Sequence, residues 1–326
     1  MLEEPALAPA SWRRRHDLDR DDCTIDVIEL VMTTADRMRE VLGREVPRVP
    51  ALRGTTVVNL FYENSTRTRT SFELAARTLG ADIINIATAS SSVTKGETLI
   101  DTVRTVQALG AQIIVMRHPS SGAPYLAMRH SNVSYINAGD GRHAHPTQAL
   151  LDLYTLRDAV GSVRGRKVVI AGDITHSRVA RSNIWGLTAA GAEVTLSGPP
   201  TLIPREYACA SEGRLPPVKV DYDFDRAIEG ADVVMMLRLQ GERQQAGLIP
   251  SLREYAQLYQ LTEERLARAA RGAVVMHPGP VNQGVEIAPE VAHGSHSLIE
   301  AQVTNGVAIR MALLYLIAGH RREGAR

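Results

Sequence analysis

Runs of β-branched and other apolar residues alternate along this chain with segments of helical length. VVNLF (57–61), DIINIA (82–87), QIIVM (112–116) and VSYINA (133–138) come first. After a helical stretch beginning near Pro146 the pattern restarts with KVVIAGD (167–173), EVTLSG (193–198), VKVDY (218–222), ADVVMML (231–237) and GAVVMH (272–277). Continuous apolar strands separated by helices specify α/β architecture with parallel sheets covered on both faces, because parallel neighbours need a crossover connection. The restart splits the pattern into two doubly wound halves, and 326 residues are enough for two domains. Gly80, Gly110 and Gly191 each stand after a helical pattern and before a strand, where a left-handed helix end is wanted. Thr24 to Met38 is amphipathic with Thr24 or Asp26 as N-cap, and 303–318 forms a last apolar helix.

The charge balance limits what such a chain binds. With 37 Lys+Arg against 36 Asp+Glu there is no global field to recruit nucleic acid or an anionic membrane, so any anion must be held locally. Cys23 and Cys209 match no metal or redox spacing and read as inert thiols in a reducing cytoplasm. The opening MLEEPALAPASWRRRHD has no apolar run of signal-peptide length, and no run of about eighteen apolar residues suggests a membrane crossing. Residues 1 to about 20 read as a loose arm, with Arg13, Arg14 and Arg15 solvated.

The strongest local signal is 61-FYENSTRTRTSFELAARTLG-80, a strand running into a helix. The first amides of a helix are unpaired and face outward with the positive end of the dipole behind them, which makes this junction a phosphate site. Ser65, Thr66, Arg67 and Thr68 fall at the turn and surround one phosphate with hydroxyls, amides and a guanidinium. Phe72, Leu74, Ala75 and Leu79 give the helix its buried face, and Arg69 ties it to a neighbouring acid. Further anion-binding elements follow: Lys95 among the serines of 90-SSSVTKGETL-99, Arg117 in 114-IVMRHP-119, and His145 with Gln148 in 143-HAHPTQALLDLY-154. Two other readings are weaker. His143 with His145, and His293 with His296, lack the carboxylate or thiol that would complete a metal site, so none is expected. The strand 168-VVIAGD-173 lacks GxGxxG, so no nicotinamide cofactor is expected.

STRTR, TKGETL, MRHP, HPTQ, MLRLQ and HPGP, in this order and spacing, resemble the catalytic chains of aspartate carbamoyltransferases within the aspartate/ornithine carbamoyltransferase superfamily. The resemblance runs along nearly the whole chain. It implies two doubly wound parallel-sheet domains joined by helices, with the C-terminal helix returning to the first. The carbamoyl phosphate-binding domain would take 1–146 and 304–326, and the aspartate-binding domain 147–303. It further implies condensation of carbamoyl phosphate with L-aspartate to N-carbamoyl-L-aspartate and phosphate, in de novo pyrimidine biosynthesis, with no cofactor.

The family's ligands fall on definite positions. Ser65, Thr66, Arg67 and Thr68 would bind the phosphate, with Thr68, Arg117 and His145 directed at the carbonyl and Gln148 beside them. Pro278 and Gly279 match the turn whose carbonyls face the amine and the carbamoyl amide. Arg178, Arg238 and Gln240 match the residues that hold aspartate, joined by Lys95. Ser91 and Lys95 would reach into an adjacent subunit. Arg67, Thr68, Lys95, Arg117 and His145 are the expected catalytic set, and Glu63 would pair with Arg178 or Arg243. A shared site implies a homotrimer or a multiple of it, and relatives assemble further with a regulatory chain or with dihydroorotase.

Electrostatics agrees with the resemblance. Carbamoyl phosphate and aspartate together bring about four negative charges, which a nearly neutral chain must offset inside one pocket. The rival reading is an ornithine-type carbamoyltransferase, but its turns usually read HCLP and HPCQ where this chain has 277-HPGP-280 and 145-HPTQ-148. A cationic second substrate also wants acids, whereas the second half offers Arg178 and Arg238. A non-catalytic metabolite-binding relative is the remaining alternative, and it conflicts with every ligand position being filled. Gln283 stands where many relatives carry arginine.

Overall fold

The computed structural model describes residues 12–87, 97–209, 215–240 and 247–323. The chain divides into two compact units, Met1–Leu150 with Thr304–Arg326, and Leu151–Val303.

In the first unit, β1 (Thr56–Phe61), β2 (Asp82–Ala87), β3 (Ile113–His118) and β4 (Ser134–Asp140) form a parallel sheet of order β2-β1-β3-β4. Its helices are α1 (Ile25–Leu42), α2 (Thr66–Thr78), α3 (Leu99–Ala108) and α4 (Ala123–Arg129), and α5 (Pro146–Val160) leads out of it. Val58, Leu60, Ile114, Met116 and Tyr135 pack against Val103, Val106 and Ala127 of the covering helices. This buries both faces of the inner strands, as their unbroken apolar character requires. In the second unit, β5 (Lys167–Ala171), β6 (Glu193–Ser197), β7 (Lys219–Val220), β8 (Val233–Met236) and β9 (Val274–Met276) form a parallel sheet of order β7-β6-β5-β8-β9. Around it lie α6 (Arg178–Ala189), α7 (Arg205–Ala208), α8 (Phe224–Ile228), α9 (Leu252–Tyr259), α10 (Glu263–Leu266) and α11 (Pro289–Ala292). Val169, Val234, Met236, Phe224, Tyr255 and Val275 belong to one core.

The last helix, α12 (Ile299–Glu323), brings the chain back to the first unit. Its Arg310 donates to Ser71 Oγ at 2.7 Å and lies over the Phe72 ring at 5.2 Å, so α12 packs directly on α2. By length and composition α12 could cross a membrane, but 72% of its apolar stretch is buried within the protein, and Arg310 interrupts it. The glycines at helix ends adopt the left-handed conformation the sequence calls for, with φ of 78° at Gly80, 94° at Gly110 and 84° at Gly191.

Three expectations are corrected. Residues 12–20 are not a loose arm. Asp17 pairs in parallel with Ile136 of β4, with Asp17 N–H donating to Tyr135 O and Asn137 N–H donating to Asp17 O, each at 2.8 Å. Fully buried Arg20 is ion-paired with equally buried Asp17, away from solvent, and at the surface Arg14 pairs with exposed Asp22 at 2.8 Å. Leu74 is 48% exposed, whereas Phe72, Ala75, Ala76 and Leu79 are buried. Arg69 finds no acidic partner among the described residues, since Glu73 pairs with Arg77 at 2.7 Å.

Candidate functional site

In a doubly wound sheet, ligands bind beyond the carboxyl ends of the strands, at the point where the winding reverses. In the first sheet the chain winds outward from β1 to β2, then crosses back to β3, so the switch lies between β1 and β3. Ser65, Thr66, Arg67 and Thr68 follow β1, and Arg117 lies near the carboxyl end of β3 opposite Phe61. His145 and Gln148 open α5 just after β4. All seven therefore gather at one end of one sheet. In the second sheet the reversal lies between β5 and β8. Arg178 begins α6 after β5, Arg238 and Gln240 follow β8, and Pro278 and Gly279 follow β9. Each unit thus carries its expected residues at the carboxyl end of its own sheet. Ser91, Lys95 and Arg243 lie outside the described residues.

The helix starts at these positions are prepared for anions. An acidic residue in the first turn is the usual complement to the helix dipole. α1, α3, α8, α9 and α12 have one, in Asp26, Asp101, Asp225, Glu254 and Glu300. α2, α5 and α6 have none. Ser65 is the N-cap of α2, yet its hydroxyl makes no capping bond, which leaves the hydroxyl available to a ligand. Thr68, His145, Gln148 and Arg178 are buried, while Arg67 is exposed on the first turn of α2.

Arg117 is held on two sides. Its Nε donates to Glu63 Oε2 at 3.1 Å and its Nη1 to Ala138 O at 3.2 Å. The second contact is possible because the register of β3 against β4 shifts between Met116 and His118, so β4 carries an extra residue there. A guanidinium fixed in this way keeps one plane and one direction, as recognition of a planar carbonyl and a phosphate requires. Burial lowers the pKa of the neighbouring His118, whose Nδ1 accepts from Ser120 N–H at 2.9 Å.

Further polar residues escaped the sequence reading. Buried His277 accepts from Gly279 N–H at 2.8 Å through Nδ1, so its other nitrogen carries the proton and donates to Glu286 Oε1 at 3.1 Å. Its backbone N–H donates to Gln302 Oε1 at 3.0 Å, and Gln302 Nε2 donates to Asp152 Oδ1 at 2.7 Å. This network fixes the turn that carries Pro278 and Gly279, which contains a cis Gly279–Pro280 bond. In the other turns, Asp173 pairs with His176 at 2.8 Å and Asp140 with His143 at 3.1 Å. In both, an aspartate at the end of a strand or just beyond it is followed three residues later by a histidine. That spacing was the available signal. Among the described residues no group of three or more His, Cys, Asp or Glu side chains is arranged to hold a metal ion.

Comparison with known proteins agrees with this geometry. Residues 15–158 match the carbamoyl-P binding domain of aspartate/ornithine carbamoyltransferases, and residues 164–317 match their Asp/Orn binding domain. The aspartate carbamoyltransferase catalytic subunit of Chloroflexus aggregans is 63% identical over 94% of this chain and 99% of its own. That of Roseiflexus sp. is 59% identical over 94% and 96%. The structure of aspartate transcarbamoylase from Trypanosoma cruzi in complex with carbamoyl phosphate superposes with a TM-score of 0.83 at 28% identity, covering 97% of this chain and 99% of that one. Ornithine carbamoyltransferase from Pyrococcus furiosus does so at 0.80 and 26%, covering 92% and 96%. Matched in both domains and along nearly its full length, the chain belongs to the aspartate/ornithine carbamoyltransferase family.

Proposed function

We propose that this chain transfers the carbamoyl group of carbamoyl phosphate to the amino group of L-aspartate, giving N-carbamoyl-L-aspartate and phosphate in de novo pyrimidine synthesis. The observation that carries this reading is the 63% identity, over 94% of the chain, to a curated aspartate carbamoyltransferase catalytic subunit. Ser65, Thr66, Arg67 and Thr68 hold the phosphate at the open N-terminus of α2, with Gln148 beside it. Thr68, Arg117 and His145 donate to the carbonyl oxygen. The aspartate amine attacks the carbonyl carbon, negative charge grows on that oxygen, and these fixed donors stabilise it. As the carbon–oxygen bond to phosphate breaks, the phosphate leaves with the electron pair and takes up the amine's proton. Arg178, Arg238 and Gln240 hold the two carboxylates of aspartate, and the backbone of Pro278 and Gly279 orients amine and amide. Assay of the purified chain with labelled carbamoyl phosphate tests the reading. Labelled carbamoyl aspartate is the expected product, and product from ornithine but not aspartate would sink the assignment.

The working unit in this reading is a cytoplasmic homotrimer whose sites are shared through Ser91 and Lys95 of the adjacent subunit. Two features support it. The strand β2, at the sheet edge, leads into the segment that carries these two residues, and it exposes 44% of Ile84. Leu74, on α2, is another large apolar side chain turned outward. Mixing inactive Lys95→Ala chains with inactive Arg67→Ala chains is expected to restore part of the activity, since some hybrid sites then contain both residues. Verified mixed oligomers without recovered turnover would rule out the shared site.

A further inference from the structure

The turn from β4 into α5 is fastened by one imidazole placed between two carboxylates. His143 Nε2 lies 3.0 Å from Asp19 Oδ2, and Nδ1 lies 3.1 Å from Asp140 Oδ2. Ionised carboxylates only accept hydrogen bonds, so both ring nitrogens must donate, and only the imidazolium can do that. The two acids come from different parts of the first unit. Asp19 belongs to the N-terminal segment that runs along the edge of β4, and Asp140 ends β4.

Asp140 is the hub of the turn. Fully buried, it accepts from Gly122 N–H at 2.7 Å, from Asn137 Nδ2 at 2.8 Å and from Ala144 N–H at 3.1 Å. Its own N–H donates to Ala144 O at 3.1 Å. The start of α4, the strand β4 and the residue immediately before His145 are thereby joined through one carboxylate. A carboxylate so deeply placed needs a counter-charge, and the nearest is the His143 ring.

We propose that His143 is a positioning residue for carbamoyl transfer: as an imidazolium it clamps Asp19 to Asp140 and so fixes the turn that sets His145. This rests on the reading above in which His145 donates to the carbonyl of carbamoyl phosphate. The titratable groups that face the ring are Asp19 and Asp21 of the N-terminal segment, Asp140 of its own turn, and Tyr125 of α4, whose ring meets it edge-on at 6.0 Å. The hydrogen bond to Asp140, followed by that to Asp19, holds the imidazole pKa up at about 10 against the opposing effect of burial. The clamp is therefore closed throughout the neutral range and opens in alkali.

The test uses the full-length chain with Asp19→Asn and His143→Gln variants. It follows the His143 ring by NMR titration and the pH profiles of kcat and of KM for carbamoyl phosphate. In the parent chain the ring should titrate near pH 10. Asp19→Asn removes one of its two carboxylates, so the titration should move down by about one pH unit or more, and the alkaline limb of kcat should move with it. His143→Gln should lower kcat at pH 8 by about tenfold or more through misplacement of His145. If that variant does not fold, Asp19→Asn, which keeps the Asp140 contact, still decides the matter. A structural role alone would lower thermal stability and leave the limb in place. A limb that stays fixed while the ring titration moves, or turnover of His143→Gln within twofold of the parent, overturns the proposal. Absence of carbamoyl aspartate from the parent chain overturns the functional reading and this proposal with it, whereas an active parent with an unmoved limb overturns this proposal alone.

Discussion

Replacing Arg117 by alanine should lower kcat by about two to three orders of magnitude, the loss expected when one preorganised donor to a developing oxyanion is removed. The expectation rests on how rigidly the side chain is set. Glu63 takes Nε at 3.1 Å, Ala138 O takes Nη1 at 3.2 Å, and the side chain retains only 13% of its exposure, so the guanidinium cannot be replaced by a mobile cation. Truncation would also leave Glu63 without this partner near the open start of α2, where its charge would repel a phosphorylated substrate. KM for carbamoyl phosphate should therefore rise as well. Arg117→Lys should recover little, because an ammonium on a flexible stem cannot meet Glu63, Ala138 and a planar ligand at once. Steady-state kinetics with both substrates varied gives the answer, and a kcat within tenfold of the parent would remove Arg117 from the proposed oxyanion site.

The motifs that placed Arg117 were legible because each is local, whereas the contacts that orient it were not. MRHP, like STRTR and HPTQ, can be read along the chain, but Glu63 and Arg117 are 54 residues apart, and Gln302 and Asp152 are 150 apart. Those contacts exist only after the sheets have formed. The strands were readable for a physical reason: each apolar run between 57 and 277 became a strand, and the inner ones are apolar throughout because a parallel strand buried on both faces must be, while β2 and β7, at sheet edges, stay partly exposed. Leu74 was misread through angle. It stands two residues from Phe72, which at roughly 100° per residue puts it on the far side of α2. The N-terminal segment was misread through charge, since DLDRDD looks solvated until Arg20 is seen paired with Asp17 inside. The Asp140–His143 spacing was visible in the sequence, but nothing there pointed to Asp19 as the second carboxylate.

The same turn supports the other large expectation: Gly141→Ala should destabilise the protein by about 2–4 kcal/mol, with a Tm lower by roughly 3–6 °C. Gly141 has φ +49°, and an added Cβ would lie 2.5 Å from Ser121 Oγ, 2.6 Å from Ser121 N and 3.0 Å from Pro119 O. The serine hydroxyl can rotate away. The backbone nitrogen cannot, because Asp140 accepts from the adjoining Gly122 N–H at 2.7 Å, and Gly141 N–H itself donates to His118 O at 2.9 Å. Relief of the clash must then move Asp140 or the 119–121 loop, and with Asp140 the support of His143 and Ala144. Activity should fall together with stability, even at temperatures where the variant is fully folded. Gly54→Ala is the control: its φ is +74° but no atom lies within 4 Å of the new methyl, so only the left-handed strain of about 1 kcal/mol applies. Calorimetry of the two variants separates the contributions. Equal losses would mean that the Ser121 contact costs nothing and that the turn yields easily, while a loss at Gly141 larger by about 1–3 kcal/mol is what overpacking against a fixed backbone predicts.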